Sequence, residues 1–251
     1  MITLNTIAYE GNFEKLLSNE CWFFKFKSNL ITKKTITVNN INNRTKFNEL
    51  LKMLSTEHDF EIINVELDIL KKVFGLNINE MTLGYNYTIP YFATINKIKT
   101  PFILNVASDC MDDIYINDEY LNLSIAELKN NPFCLSTMVA WTKDNYIMSN
   151  GKRIGEYEES ETLKLINNNV KLSDNFNYRF NFTDQFFMAS IDELKKLDYN
   201  IDESHSSKIY FGPPYGGNSF EKRMASNQVY NKKYNCVCKG NQYYIHDKNY
   251  Y

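Results

Sequence analysis

The chain has 251 residues, 43% of them hydrophobic and 23% charged, which supplies one large buried core or a core with a modest appendage. Its 28 basic side chains face 30 acidic ones, a net charge of -2, so no positive field exists to draw in polyanions and generic nucleic-acid binding is disfavoured. Five scattered cysteines (Cys21, Cys110, Cys134, Cys236 and Cys238) argue for a reducing compartment and against a disulfide framework, and the Cys236-x-Cys238 pair has strand spacing with no partner pair at zinc-finger spacing.

The start, Met1–Ala8, lacks a basic stretch followed by a long apolar one, so it does not read as a signal peptide. No window is apolar over the length a bilayer requires. A cytoplasmic location is the expectation. Ile2–Ala8 alternates apolar and polar residues and predicts a strand. A turn at Glu10-Gly11-Asn12 leads to a helical segment around Phe13–Leu17. Lys34–Val38 is a short β-branched strand that stops in the turn formers Asn39 to Asn43. Thr45 is placed to cap a helix over Lys46–Leu54, whose Phe47, Leu50, Leu51 and Leu54 share one face. Phe60–Val65 predicts a strand, and Leu67–Phe74 a helix that ends near Gly75. Thr88–Lys97 predicts a helix with Pro90 in its first turn. Phe102–Ala107, apolar apart from Asn105, predicts a strand covered on both faces, and it runs straight into Ser108-Asp109-Cys110-Met111-Asp112-Asp113. Ser124–Asn130 follows as helix and Phe133–Trp141 as strand.

This alternation implies an α/β fold with a mostly parallel sheet flanked by helices. From about residue 142 the rhythm changes. Lys143–Phe176 is polar, with loops and short pieces expected. Phe186–Leu197 reads as a helix, Ile209–Tyr215 as strand and turn, Phe220–Tyr230 as helix, and Tyr234–Tyr244 as a hairpin around Lys239-Gly240-Asn241. One domain over 1–251 is expected, with 1–141 and 142–251 as its two halves.

Ligands of open α/β sheets bind beyond the carboxyl ends of the strands. Three such ends carry polar residues here: Ala8-Tyr9-Glu10, Asn39-Asn40, and Asp109 to Asp113. The last brings three carboxylates within five residues. Such groups repel one another unless a cation or water screens them, and hard oxygen ligands suit Mg2+ or Mn2+. The plainer reading is an acidic loop in which Asp112 and Asp113 cap a turn. No Walker loop, dinucleotide glycine fingerprint or nucleophile elbow is present.

A first strand ending in a Tyr-containing turn, a second ending in polar residues and an apolar strand ending in acids resemble the GT-A nucleotide-sugar glycosyltransferases. Gly84-Tyr85-Asn86-Tyr87-Thr88, then Lys99 to Asp109, is similar to the segment leading to that family's Asp-x-Asp motif. Tyr120–Pro132 fits as the following helix and turn. The resemblance covers about residues 1–141. The family spaces two acids by one residue, whereas here Cys110 and Met111 separate Asp109 from Asp112 and Asp113. Either Asp109 holds the metal alone with water, or the loop brings Asp112 in, or the enzyme needs no metal.

The resemblance implies a donor that is a nucleotide-diphosphate sugar, with a UDP-sugar favoured. The acceptor would be a glycan, lipid, protein or modified nucleic acid, and the cofactor Mn2+ or Mg2+. It places Tyr9 and Glu10 at the base, Asn39 and Asn40 at base or ribose, Asn86 at ribose or phosphates, and Asp109 at ribose or metal. It adds His246, late in the chain, as a further metal ligand. Packing for Tyr9 and an Asx turn for Asn39 and Asn40 are the alternatives. In the second half, Asp184 is the candidate base that deprotonates the acceptor hydroxyl, with Glu221 as its rival. Thr183 or Asp184 could instead cap the expected Phe186–Leu197 helix. Gly212–Gly217 is either a lid over the donor or a plain turn. A nucleotidyltransferase and a non-catalytic nucleotide- or sugar-binding relative are the competing readings.

Overall fold

In the computed structural model the described residues are 1–9, 16, 21–38, 44–75, 85–110, 114–140, 147–149, 152–154, 173–179, 182–200 and 219–245. Along the first part of the chain come β1 (Ile2–Ala8), a single helical turn at Trp22–Lys25, β2 (Ile31–Val38), α1 (Arg44–Glu57), β3 (Glu61–Asn64), α2 (Leu67–Phe74), α3 (Tyr85–Lys97) and β4 (Phe102–Val106). Then come β5 (Ile114–Tyr115), α4 (Asp118–Asn130), β6 (Cys134–Met138), β7 (Ile147–Ser149), β8 (Lys152–Ile154) and β9 (Phe176–Arg179). The remaining elements are β10 (Phe186–Ser190), α5 (Ile191–Lys196), α6 (Phe220–Asn231), β11 (Tyr234–Cys238) and β12 (Tyr243–Tyr244).

Eight strands form one sheet in the order β3-β2-β1-β4-β10-β6-β11-β9. β1 to β4 run parallel, β10 runs antiparallel to β4 and β6, β11 is parallel to β6, and β9 opposes β11. The carboxyl ends of six strands therefore share one edge with the amino ends of β10 and β9. This mostly parallel sheet with helices on both faces is the α/β class that the strand–helix alternation predicts.

Strand periodicity explains the layers. On β4, Phe102, Leu104 and Val106 enter one core, together with α1 and α4 residues such as Phe47 and Leu121. Ile103 enters the other core, with Ile89 and Phe92 of α3, Leu194 of α5 and Phe220 of α6. β10 divides likewise, Phe186 and Met188 to the first core and Phe187 and Ala189 to the second. β1 is buried throughout, so its polar alternation marks a buried polar face rather than a wet one.

Local chemistry sets the element ends. α2 stops at Gly75, whose φ of 60° lies in the left-handed region that favours glycine. Asn117 caps α4 by accepting from the Tyr120 N–H at 3.1 Å, and Ser219 caps α6 by accepting from the Lys222 N–H at 3.3 Å. α3 starts at Tyr85, earlier than expected, which puts Pro90 inside the helix rather than in its first turn. α1 starts at Arg44, so Thr45 lies within the helix and is not its cap. Leu16 is helical and buried, and the rest of Phe13–Leu17 lies outside the described residues, as does Ile209–Tyr215.

Phe186–Leu197 is not one helix. Its first five residues form β10, and only Ile191–Lys196 is helical, capped by the Ser190 hydroxyl accepting from the Glu193 N–H at 3.4 Å. A buried apolar run serves either a helix or a central strand, and here ladder bonds to β4 and β6 select the strand. Tyr234–Tyr244 is not a hairpin, because β11 pairs with β6 and β9 while β12 pairs with β5. Among the described residues no helix is long and apolar enough to cross a membrane.

Candidate functional site

Two asparagines on adjacent strands begin the site. Asn5 of β1 and Asn105 of β4 stand opposite each other in register, both fully buried. Buried amides must find partners, and these do. Asn5 Nδ2 donates to Asn105 Oδ1 at 2.8 Å. The Thr35 and Thr37 hydroxyls donate to Asn5 Oδ1 at 2.8 and 3.0 Å. Thr37 Oγ1 also lies 2.6 Å from Thr94 Oγ1 of α3, whose single proton goes to Thr37 or to the Pro90 carbonyl at 2.7 Å. The other end of the chain of bonds reaches the sheet edge, where Asn105 Nδ2 donates to the Asp184 carbonyl at 3.1 Å.

Asp184 is held on several sides. Its carbonyl also accepts from the Tyr91 hydroxyl at 3.2 Å, and its N–H donates to Glu221 Oε1 at 3.0 Å. The next residue extends the β4–β10 pairing: the Ala107 N–H donates to the Gln185 carbonyl at 2.6 Å. Thr183 Oγ1 accepts from the Gln185 N–H at 3.3 Å, a local turn bond. Because β10 follows, neither Thr183 nor Asp184 caps a helix, and Ser190 is the cap of the helix that comes next.

Glu221 is in the first turn of α6, which the Ser219 cap and the stacking of Phe220 on Tyr91 (centroids 4.5 Å apart, planes 3° from parallel) hold in place. The structure thus brings the two candidate bases together. One oxygen of Glu221 is engaged in fixing the Asp184 backbone.

β4 ends at the same edge and passes into a single 3-10 turn, Ser108–Cys110, with Ser108 and Cys110 buried. The backbone of Asp109 lies in this turn, and its side chain is outside the described residues. After Met111 to Asp113, which are also outside them, the chain returns as β5 and pairs with β12, Tyr243 opposite Tyr115 and Tyr244 opposite Ile114. The Tyr244 hydroxyl donates to Gln185 Oε1 at 3.3 Å, and its ring stacks on Phe186 at 5.4 Å. β12 is thereby tied to the segment, Asp184 and Gln185, that leads into β10.

Tyr9 follows β1 half-buried and packs against the core that contains α3 and α6. Glu10, Asn39, Asn40, Asp112 and His246 lie outside the described residues, as does the Gly212–Gly217 segment. Asn86 is the second residue of α3, with its side chain outside them. Sequence reasoning overlooked Asn5, Tyr91, Gln185 and Tyr244. The visible signal was an amide inside an otherwise buried strand, at Asn5 and again at Asn105.

No protein-family profile matches the sequence, and no curated protein matches it. Solved structures do match. GalNAc-T7 with UDP, GalNAc and Mn2+ superposes with a TM-score of 0.59 at 10% identity, over 98% of this chain and 44% of that one. TarS 1-349 of S. aureus in complex with UDP superposes with a TM-score of 0.50 at 12% identity, over 98% of this chain and 60% of that one. The chain therefore spans less than two thirds of the length of either. At these identities the likeness shows the fold, which is the GT-A glycosyltransferase fold.

Proposed function

We propose that this chain is a glycosyltransferase that moves a sugar from a nucleotide-diphosphate donor, a UDP-sugar in the first instance, to an acceptor hydroxyl. The observation that carries the reading is the shared sheet edge. There the end of β4, leading into the acidic segment, is bonded through Ala107 and Asn105 to Gln185 and Asp184. The GT-A fold supports it, and so do the UDP and Mn2+ present in the matched structures.

On this reading Asp184 takes the acceptor proton while the acceptor oxygen bonds to the anomeric carbon and the bond to the diphosphate breaks. A carboxylate serves as base only at hydrogen-bond reach, and the Asp184 backbone is fixed by three bonds, from Asn105, from Tyr91 and to Glu221. Glu221 is then a positioning residue. Tyr9, Glu10, Asn39, Asn40 and Asn86 would line the base, ribose and phosphates.

A divalent cation, Mn2+ or Mg2+, fits the donor set of the acidic segment, since carboxylate oxygens suit hard ions. Asp109 and Asp112 would hold it. His246 would join them, supported by the pairing of Tyr244 with Ile114, which brings the chain two residues before His246 beside the chain just after Asp113. When bound, such a cation neutralises charge on the diphosphate leaving group.

Thermal denaturation with UDP, GDP and CDP, with and without Mn2+, tests the donor class, and a metal-dependent rise for one nucleotide is expected. A donor panel with mass spectrometry of products tests transfer. No response to any nucleotide would sink the proposal, and pyrophosphate release from a nucleoside triphosphate would redirect it to nucleotidyl transfer. Asp184→Asn should cut transfer by 100-fold or more, on the order of the general-base contribution, while leaving UDP binding intact. Glu221→Gln keeps the oxygen that accepts from Asp184 and should retain most activity, whereas Glu221→Ala should not.

A further inference from the structure

Away from the edge described above, three potential metal ligands meet inside the protein. Cys134 opens β6 and Cys236 lies in the middle of the adjacent β11, both on the sheet face that α4 covers. Glu127 reaches them from the last turn of α4. All three are buried, and one ligand atom from each lies within 4.8 Å of the others. Cys134 Sγ is 3.1 Å from Cys236 Sγ, and Cys236 Sγ is 3.8 Å from Glu127 Oε1.

These spacings are close to those of a tetrahedral zinc ion. With Zn–S of about 2.3 Å and Zn–O of about 2.0 Å, two thiolates stand roughly 3.8 Å apart and a thiolate and a carboxylate oxygen roughly 3.5 Å. Small rotations of the cysteine side chains would part the sulphurs by the remaining distance. The Tyr178 hydroxyl donates to Glu127 Oε1 at 3.5 Å, a further outer hydrogen bond, and a water would complete the tetrahedron.

The surroundings suit a cation. Among the described residues Glu127 forms no ion pair, and a buried carboxylate needs a proton or a positive partner. Its oxygen is oriented by Asn131, whose Nδ2 donates to Glu127 Oε1 and to the Tyr234 hydroxyl, each at 2.6 Å. Metal-bound carboxylates characteristically carry such outer hydrogen bonds. Two sulphurs and one oxygen favour a borderline-soft ion over Mg2+ or Mn2+.

We propose that Glu127, Cys134 and Cys236 bind a structural Zn2+ that staples α4 to β6 and β11. These ligands include none of the residues proposed for the donor cation, and the inference does not depend on the activity proposed above.

The test is metal analysis of the full chain, expressed with zinc and dialysed against metal-free buffer, together with native mass spectrometry. One zinc per chain is expected. It should persist in Asp109→Asn and be lost in Cys134→Ser and in Glu127→Gln. Should those variants fail to fold, the wild-type chain stripped by a chelator and reloaded with Co2+ should show thiolate-to-cobalt charge-transfer absorption. A folded wild-type chain that holds no zinc and gives no such band overturns the proposal. So does zinc lost in Asp109→Asn but kept in Cys134→Ser. A chain lighter by two hydrogens, with Cys134 and Cys236 resistant to alkylation, would show a disulfide in place of the ion and equally overturn it.

Discussion

Asn105 connects structure to the proposed chemistry most directly. It belongs to an otherwise apolar strand, where an amide costs stability unless every polar atom is met. Its oxygen accepts from Asn5 and its nitrogen donates to Asp184, so the sheet interior is bonded to the residue proposed to take the acceptor proton. Asn105→Ala leaves the buried Asn5 amide nitrogen without its acceptor, while the Asp184 carbonyl keeps only the Tyr91 hydroxyl. At roughly 1–3 kcal/mol for one orphaned buried group, a loss of about 1–3 kcal/mol in chemical denaturation is expected. Turnover should fall further than stability alone explains, with nucleotide affinity unchanged. An unaltered kcat in the folded variant would show that Asn105 serves the core alone. The presence of Asn105 was plain in the sequence, but its partners were not, because they come from positions 5 and 184.

α6 and β10 show how elements rather than single groups build the edge. Phe220, at the start of α6, stacks on Tyr91 and meets Phe92, Phe182, Phe187 and Tyr199 edge-on or tilted or stacked, which joins α3, α6 and β10 through one ring cluster. Its neighbour Glu221 is positioned by that packing. Phe220→Ala opens a cavity among buried apolar side chains, and about 3–5 kcal/mol of stability should be lost in urea denaturation. A loss below about 1 kcal/mol would mean that the cluster collapses around the gap and does not define the place of α6. The same region is where helical periodicity misled. Phe186-Phe-Met-Ala-Ser190 lacks clear strand alternation because both of its faces are buried, as a central strand requires.

Across the fold, helices cover both faces of the sheet and bury polar groups with the apolar ones. Desolvation raises the phenols of Tyr120 and Tyr199 above their usual value of 10.0. Burial, with a smaller contribution from Glu119, pushes the Cys238 thiol up from 9.0 to about 11. These groups hold their protons more tightly folded than unfolded. Their contribution is complete below pH 9.0 for Cys238 and below 10.0 for the phenols, and it is lost as pH rises further. Lys34 acts in the opposite direction. Burial lowers it from 10.5 to about 8, so between those values its contribution rises with pH. Its ammonium donates to the carbonyls of Phe23, Phe24 and Phe26 at 2.6, 2.9 and 2.9 Å, which holds one helical turn against β2. Two phenols and a thiol against one amine predict that Tm falls from pH 9 to pH 11, and that it falls more steeply in Lys34→Met. A Tm that is flat across this range would contradict the burial of these groups.

Periodicity, turn residues and apolar runs were enough to place β1, β2 and β4, the helix that Gly75 ends, and the α/β class, because each reflects forces within a few residues. The resemblance in residues 1–141 pointed to the GT-A fold on the same local patterns. Pairing partners were beyond that reach. The insertion of β10 between β4 and β6, the pairing of β12 with β5, the contact of Asp184 with Glu221 and the approach of Cys134 to Cys236 all join segments far apart in the chain. Each depends on which hydrogen bonds and buried surfaces the assembled layers satisfy together, a condition that no short window of residues contains.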